Sequence, residues 1–193
     1  MLGRLIRNWV YGGSLAGVLL LALTPVLTTG WSWPLTAVFL TIPVYMLHQY
    51  EEHDADRFRA KVNEMFGKGH DVLPVAAVFV INVPGVWGVN ALAFALAASV
   101  GMGWGLIALY TMLANSLVHV VQAVVTRGYN PGLVTSIVLF LPLGVAGSWA
   151  VNATTGAVTM AEQVTAIAVA VLIHIAIQAY VLSNVRRLSR QVS

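Results

Sequence analysis

Long runs without a charged residue alternate with short charged segments along this chain. No Asp, Glu, Lys or Arg occurs in residues 8–50, 72–126, 128–161 and 163–185. A membrane crossing needs about 20 apolar residues, so the runs have room for about two, two, one and one crossings. The pattern predicts an all-α polytopic transmembrane helical bundle that forms a single transmembrane domain. We expect about six spans, at about 10–28, 31–50, 72–100, 103–126, 131–150 and 162–183.

Three segments add detail to this predicted arrangement of spans. Residues 51–71 hold six of the seven acids, and their apolar side chains recur at helical spacing, which predicts an interfacial amphipathic helix at about 53–67. Pro84 and Gly85 predict a kink or break near Asn82 in the third span. Residues 1–30 resemble a signal peptide but lack a small-residue cleavage site, so we expect an uncleaved first span.

Composition agrees with a membrane protein and excludes other classes. The chain is 59% hydrophobic and 9% charged, which excludes an ordinary soluble domain and a disordered chain. The net charge of +3 comes from scattered basic residues, without the basic patch that nucleic-acid binding needs. The absence of cysteine excludes thiolate metal ligands. Small residues in the first span, Gly12, Gly13 and Gly17, leave a homo-oligomer possible.

The basic residues also predict the orientation of the chain. With a cytoplasmic N-terminus, all ten Lys and Arg fall on the inner side, as the positive-inside rule requires. Both termini are then cytoplasmic, and the lipid bilayer is the main partner. We expect an integral multi-pass protein of a bacterial inner (plasma) membrane.

Polar side chains occur within four of the predicted spans, where an ionisable group costs about 2.5–3.5 kcal/mol at the helix centre. Each therefore needs a partner or a function. At about 100° per residue, Glu51 and Glu52 lie roughly 60° and 40° to either side of His48. His53 lies roughly 140° away, and we expect it to be solvated. The candidates are His48, Glu51, Glu52, Asn82, Asn115, His119, Gln122, His174 and Gln178.

Distances along the helices bring these candidates to one depth. At ~1.5 Å per residue, His48, His119 and His174 lie ~12–18 Å inward from an arginine on the predicted cytoplasmic side. Asn82 lies ~16 Å from Asp71 by the same arithmetic. Within about one helical turn, three histidines, two glutamates and Asn82 meet in the cytoplasmic half of the bundle.

Imidazole and carboxylate groups in one place suit Zn, Fe or Mn, and catalytic zinc commonly takes three such ligands plus water. We expect a divalent metal, Zn or Fe with Mn also suitable. Glu51 is expected to act as catalytic acid/base or as a bridging ligand. The expected metal ligands are His48, Glu52, His119 and His174. The expected supporting or substrate-binding amides are Asn82, Asn115, Gln122 and Gln178.

The residues His48-Gln49-Tyr50-Glu51-Glu52 resemble the signature of the HXXEE family of small integral membrane proteins. The resemblance includes the charged segment after the motif, the Asn-Val-Pro-Gly-Val-Trp stretch at 82–87 and His119 on a later helix. It implies a metal-binding or enzymatic protein and names no substrate.

Two enzyme families are similar in part. Intramembrane glutamic proteases of the CAAX-processing type carry Glu-Glu-x-x-x-Arg. Here Arg57 stands one residue too far from Glu52, and the order of Asn115 and His119 is reversed, which disfavours a protease. Sterol isomerases of the emopamil-binding type place His and Glu inside a small bundle, and this similarity keeps metal-free acid–base isomerisation open.

The sequence therefore predicts a membrane-embedded metal-dependent enzyme, a hydrolase first and an oxidoreductase second. Its expected substrate is a lipid-like or amphipathic small molecule. A metal-free His/Glu isomerase, a di-metal oxidase or hydroxylase and a metal-ion or proton transporter stay open. The transporter is disfavoured by the apolar outer halves of the spans and the lack of an inverted repeat. The same polar groups also suit interhelical hydrogen bonding alone.

Overall fold

Helices dominate the chain in the computed structural model, which describes residues 1–67, 70–154, 156 and 158–190. These residues contain no β-strand. Short 3₁₀ turns at Asp54–Asp56 and Met102–Gly105 precede the third and fifth helices. The helices are α1 Leu2–Leu27, α2 Trp33–His53, α3 Arg57–Gly67, α4 Val75–Ser99, α5 Leu106–Thr126, α6 Leu133–Ala153 and α7 Met160–Ser189.

Five of these helices are long and apolar enough to cross a membrane: α1, α4, α5 together with its 3₁₀ turn, α6 and α7. This finding indicates a multi-pass membrane protein. The α2 helix has 21 residues but is not among these five, because its last two turns are polar and lower its mean hydropathy. The count of six spans and the cytoplasmic placement of both termini stay predictions.

The α2 helix lies at the centre of the bundle. It packs against α1, α4, α5 and α6, whereas α7 packs mainly on α5. More than half of the α2 residues are buried, including Ala37, Val38 and Tyr45. Lipid can surround an apolar helix but is unfavourable for polar and ionisable side chains. The polar C-terminal turns of α2 are therefore stable where other helices enclose them, as they do here.

Two helices contain a π-helical segment. In α4 it covers Ile81–Trp87 and includes Pro84, at the kink that the sequence predicts. In α6 it covers Ser136–Phe140, just before Pro142, where the sequence analysis predicts no break. Proline has no N–H, so the helical hydrogen-bond pattern must shift around it. Segments of this kind are frequent at functional sites.

The amphipathic helix begins later than the sequence predicts. The prediction of 53–67 is wrong at its start, because α2 continues to His53 and Ala55 and Asp56 then adopt positive φ, which turns the chain. The remainder forms α3, whose Val62 is buried in a cluster with Val72, Leu73 and Val78. The large exposed apolar side chains of α3 are Met65 and Phe66. Lys68 and Gly69, which follow α3, lie outside the described residues.

Candidate metal site

Three buried side chains from two central helices converge on one point. The His48 Nε2 lies 3.7 Å from Oε2 of Glu52, and the His119 Nε2 lies 3.7 Å from Oε1 of the same carboxylate. One nitrogen or oxygen atom from each residue lies within 4.8 Å of the others. The side chains are almost wholly buried, with His48 fully inaccessible. Helical spacing explains part of this arrangement, since positions 48 and 52 share one face of α2.

The loop between α5 and α6 determines the proton position on His119. The side-chain amide of Asn130 donates to the backbone carbonyl of His119 over 2.9 Å. Its Oδ1 then faces Nδ1 of the His119 ring at 2.7 Å and can only accept. The neutral ring therefore carries its proton on Nδ1. Its Nε2 presents a lone pair to the Glu52 carboxylate.

A second chain of hydrogen bonds determines the proton position on His48. The Thr135 hydroxyl has one proton, which it donates to Oε2 of Glu51 over 2.5 Å. Nδ1 of His48 lies 2.8 Å from the same hydroxyl oxygen and must therefore donate to it. The Nε2 of His48 is left as an acceptor, and it is buried without a hydrogen-bond partner among the described residues.

These features fit a divalent transition metal. Two neutral imidazoles with free Nε2 lone pairs and one carboxylate are ligands that Zn, Fe and Mn accept. In a tetrahedral zinc site the ligand atoms lie roughly 3.3 Å apart, close to the spacing of these side chains. A bound metal would also satisfy the partnerless Nε2 of His48, whose burial is otherwise unfavourable. Each imidazole is oriented through its other nitrogen, as is usual for metal-binding histidines.

Gly132 brings the backbone directly against both histidine rings. Its φ is +95°, and a Cβ atom there would lie 2.7 Å from Cε1 of His119 and 2.8 Å from Cε1 of His48. The position therefore requires glycine both for its backbone conformation and for the close approach. The ring of Phe140 also packs against His48, with 4.2 Å between the ring centroids.

The comparisons with known proteins identify the family. The family model described as a protein of unknown function with HXXEE motif matches residues 39–147, more than half of the chain. The chain belongs to the HXXEE family. No curated protein and no solved structure matches it. The matched residues of the HXXEE protein include His48, Glu52 and His119 and end before His174.

The two glutamates of the HXXEE motif have different surroundings. Glu52 faces the histidines, whereas the Glu51 carboxylate accepts four hydrogen bonds from the segment around the start of α6. Its donors are the Tyr129 hydroxyl, the Val134 and Thr135 amides and the Thr135 hydroxyl. The two amides belong to the first turn of α6, where a negative charge is favourable. Partial burial raises the pKa of Tyr129, and its hydrogen bond to Glu51 raises it further.

The amides and the remaining histidine of the predicted site lie in several places. Asn82 is buried and bridges helices, since its Oδ1 accepts from Gln49 and its amide donates to the Val78 carbonyl. Asn115 and Gln122 are half-buried on α5, and Gln178 is exposed on α7. The half-buried His174 places Nδ1 2.7 Å from the Ala170 carbonyl of its own helix. Neither His174 nor Glu51 belongs to the convergent group of His48, Glu52 and His119.

Sequence reasoning missed His53, which it expected in solvent. His53 is buried, and its Nε2 lies 3.2 Å from Oε2 of Glu52. The rings of Trp9 and Phe58 lie 5.3 and 5.4 Å from its imidazole, centroid to centroid. These two residues come from α1 and α3, so the helical wheel of α2 alone gave no signal of the contact. Asn130 and Thr135 were missed for a similar reason, since both lie near the connection between α5 and α6 and contact the histidines of other elements.

Proposed function

We propose that this HXXEE protein is a membrane-embedded, metal-dependent enzyme that hydrolyses a lipid-like or amphipathic substrate. One observation carries the proposal: the Nε2 atoms of His48 and His119 each lie 3.7 Å from an oxygen of the Glu52 carboxylate inside the bundle. Zinc is the first choice of metal, with iron next and manganese also suitable. We place the protein in a bacterial inner membrane with the site in the cytoplasmic half.

Two imidazoles and one glutamate are the ligand set of several zinc hydrolases, and they leave a coordination position open. The metal would supply a water activated at neutral pH. The chain itself supplies orientation and a restricted environment. Asn130 and Thr135 hold the imidazoles through Nδ1, while the Tyr45 and Phe140 rings, 4.5 Å apart, form an apolar wall that limits access of bulk water.

An oxidative reaction is the second candidate. Two histidines and one carboxylate with open positions are also the ligands of non-haem Fe(II) oxygenases. A site with two metals is less well supported, because the Glu51 carboxylate already accepts four hydrogen bonds. The identity of the bound metal therefore separates zinc hydrolysis from iron oxidation.

Oxygen isotopes distinguish these reactions without knowledge of the substrate. The purified protein in nanodiscs, loaded with zinc or with Fe(II), is incubated with a bacterial membrane lipid extract. One set of samples contains ¹⁸O-labelled water and the other ¹⁸O₂, and the products are analysed by mass spectrometry. We expect new products that carry ¹⁸O from water, and their absence in Glu52→Gln.

Each other outcome rejects the hydrolase. Label from O₂ identifies the oxidase, and an unlabelled isomer identifies acid–base isomerisation. Protein that changes no lipid but carries metal ions into proteoliposomes is a transporter. His174→Ala is the matched control, because it removes a histidine that lies outside the convergent group. We expect it to keep the product yield of the wild type.

A further inference from the structure

A cavity of about 320 Å³ lies beside the metal site, where the N-terminal part of α1, the end of α2, α3 and the start of α4 meet. Its polar lining consists of Arg7, Tyr11, His53, Asp56 and Arg59. A volume of this size falls within the range of small-molecule sites. By the predicted orientation, all four helix segments lie at the cytoplasmic surface, so the cavity borders both water and lipid headgroups.

His53 forms the wall between this cavity and the metal site. Its Nε2 approaches Oε2 of Glu52 to 3.2 Å, and its ring also lines the cavity. Trp9 lines the same cavity and packs against the His53 ring. A molecule bound in the cavity would therefore lie one side chain away from a metal ligand.

The charges that line the cavity favour an anion. Arg59 forms ion pairs with Asp56 and Asp71, which hold it in place and balance its charge. Arg7, in contrast, is exposed and has no ion-pair partner among the described residues. A guanidinium without a carboxylate partner is well suited to bind a phosphate or carboxylate group through two parallel hydrogen bonds.

We propose that this cavity binds the oxyanion headgroup, phosphate or carboxylate, of the amphipathic substrate, and that Arg7 recognises it. That the bound molecule is a substrate rests on the proposed function, but the binding itself does not require a metal. The headgroup would lie against Arg7 and Trp9, with the adjoining polar bond beside His53, whose ring separates it from Glu52. The apolar chain would remain in the bilayer.

The test uses dodecyl phosphate as the probe and protein purified in dodecyl maltoside, a neutral amphiphile with the same chain length. Fluorine NMR of 5-fluorotryptophan-labelled protein reports on the cavity, and Trp9→Phe identifies the Trp9 signal. We expect a saturable shift of this signal with dodecyl phosphate. In Arg7→Gln the affinity should fall by about tenfold or more, the value of one hydrogen bond to a charged group. Inorganic phosphate should bind more weakly than dodecyl phosphate.

Arg4→Gln is the matched control, since it removes an equal charge from the same helix at a position that does not line the cavity. It should leave the affinity unchanged. The proposal is overturned by the absence of a saturable shift, or by equal losses in Arg4→Gln and Arg7→Gln. Equal affinity for inorganic phosphate would overturn the assignment to a headgroup. Metal content is measured on the same samples, so probe binding without metal rejects the proposed enzyme and keeps this site.

Discussion

Asn130 and His119 are joined by two hydrogen bonds that close a ring between a loop and a helix. The amide nitrogen of Asn130 donates to the His119 backbone carbonyl over 2.9 Å, and Nδ1 of the His119 ring donates to Oδ1 of Asn130 over 2.7 Å. Both residues are buried. This pair determines which imidazole nitrogen is free, and it also ties the loop that contains Gly132 to the metal site.

Asn130→Leu should weaken metal binding although all three ligand side chains are retained. Leucine cannot accept the Nδ1 proton of His119, so the ring loses its orientation and its preferred tautomer. Loss of such a partner typically lowers metal affinity by about 10–100-fold. The affinity is measured by competition with a chromophoric chelator. Asn90→Leu is the control, because Asn90 is equally buried but bonds only to the Val86 carbonyl of its own helix. Similar affinities in the two variants would contradict the role of Asn130.

Gly132→Ala should disrupt the site, whereas Gly30→Ala should only destabilise the fold. Both glycines have positive φ, +95° and +79°, so alanine costs about 1–2 kcal/mol of backbone strain at either position. At Gly30 a Cβ meets nothing within 4 Å. At Gly132 it meets both histidine rings, which adds about 1–3 kcal/mol of overpacking and displaces the ligands.

The two glycine variants are compared by thermal unfolding and by metal content. We expect both to unfold at a lower temperature and only Gly132→Ala to lose the metal. Full metal occupancy in Gly132→Ala would mean that the turn does not lie against the histidines as described.

Glu51→Gln should loosen the α5–α6 loop and leave the metal bound. The glutamine side chain carries no charge and can accept through one oxygen only, so some of the four hydrogen bonds to this position are lost. Hydrogen bonds to a charged group are worth about 1.5–3 kcal/mol each. Hydrogen exchange of residues 127–135 should become faster than in the wild type. Metal loss equal to that of Glu52→Gln, with unchanged exchange in the loop, would instead identify Glu51 as a ligand.

The helical part of the site could be predicted from the sequence because it depends on local geometry. His48 and Glu52 share a face at a spacing of four residues, and the depth of His119 follows from its distance to the end of its helix. The same counting predicted His174 as a ligand, since it gives depth but not the direction in which α7 turns its side chains. In the structure the His174 ring bonds to its own helix at Ala170.

The parts of the site that depend on contacts between different elements could not be predicted. His53 lies off the common face of an ideal helix, but Trp9 and Phe58 from other helices hold it against Glu52. Nothing in the Asn130-Pro131-Gly132 segment indicates that Gly132 lies against two imidazoles. Such contacts depend on how helices pack against each other, and the periodicity of a single helix does not predict that packing.

Elemental analysis of the purified protein by mass spectrometry tests the central claim most directly. The account predicts about one equivalent of Zn, Fe or Mn per chain in the wild type and in His174→Ala. It predicts loss of that metal in Glu52→Gln and in His119→Ala, with the helical circular dichroism spectrum retained. Metal that persists in both ligand variants, or a wild type with no more metal than these variants, would contradict a metal site at His48, Glu52 and His119.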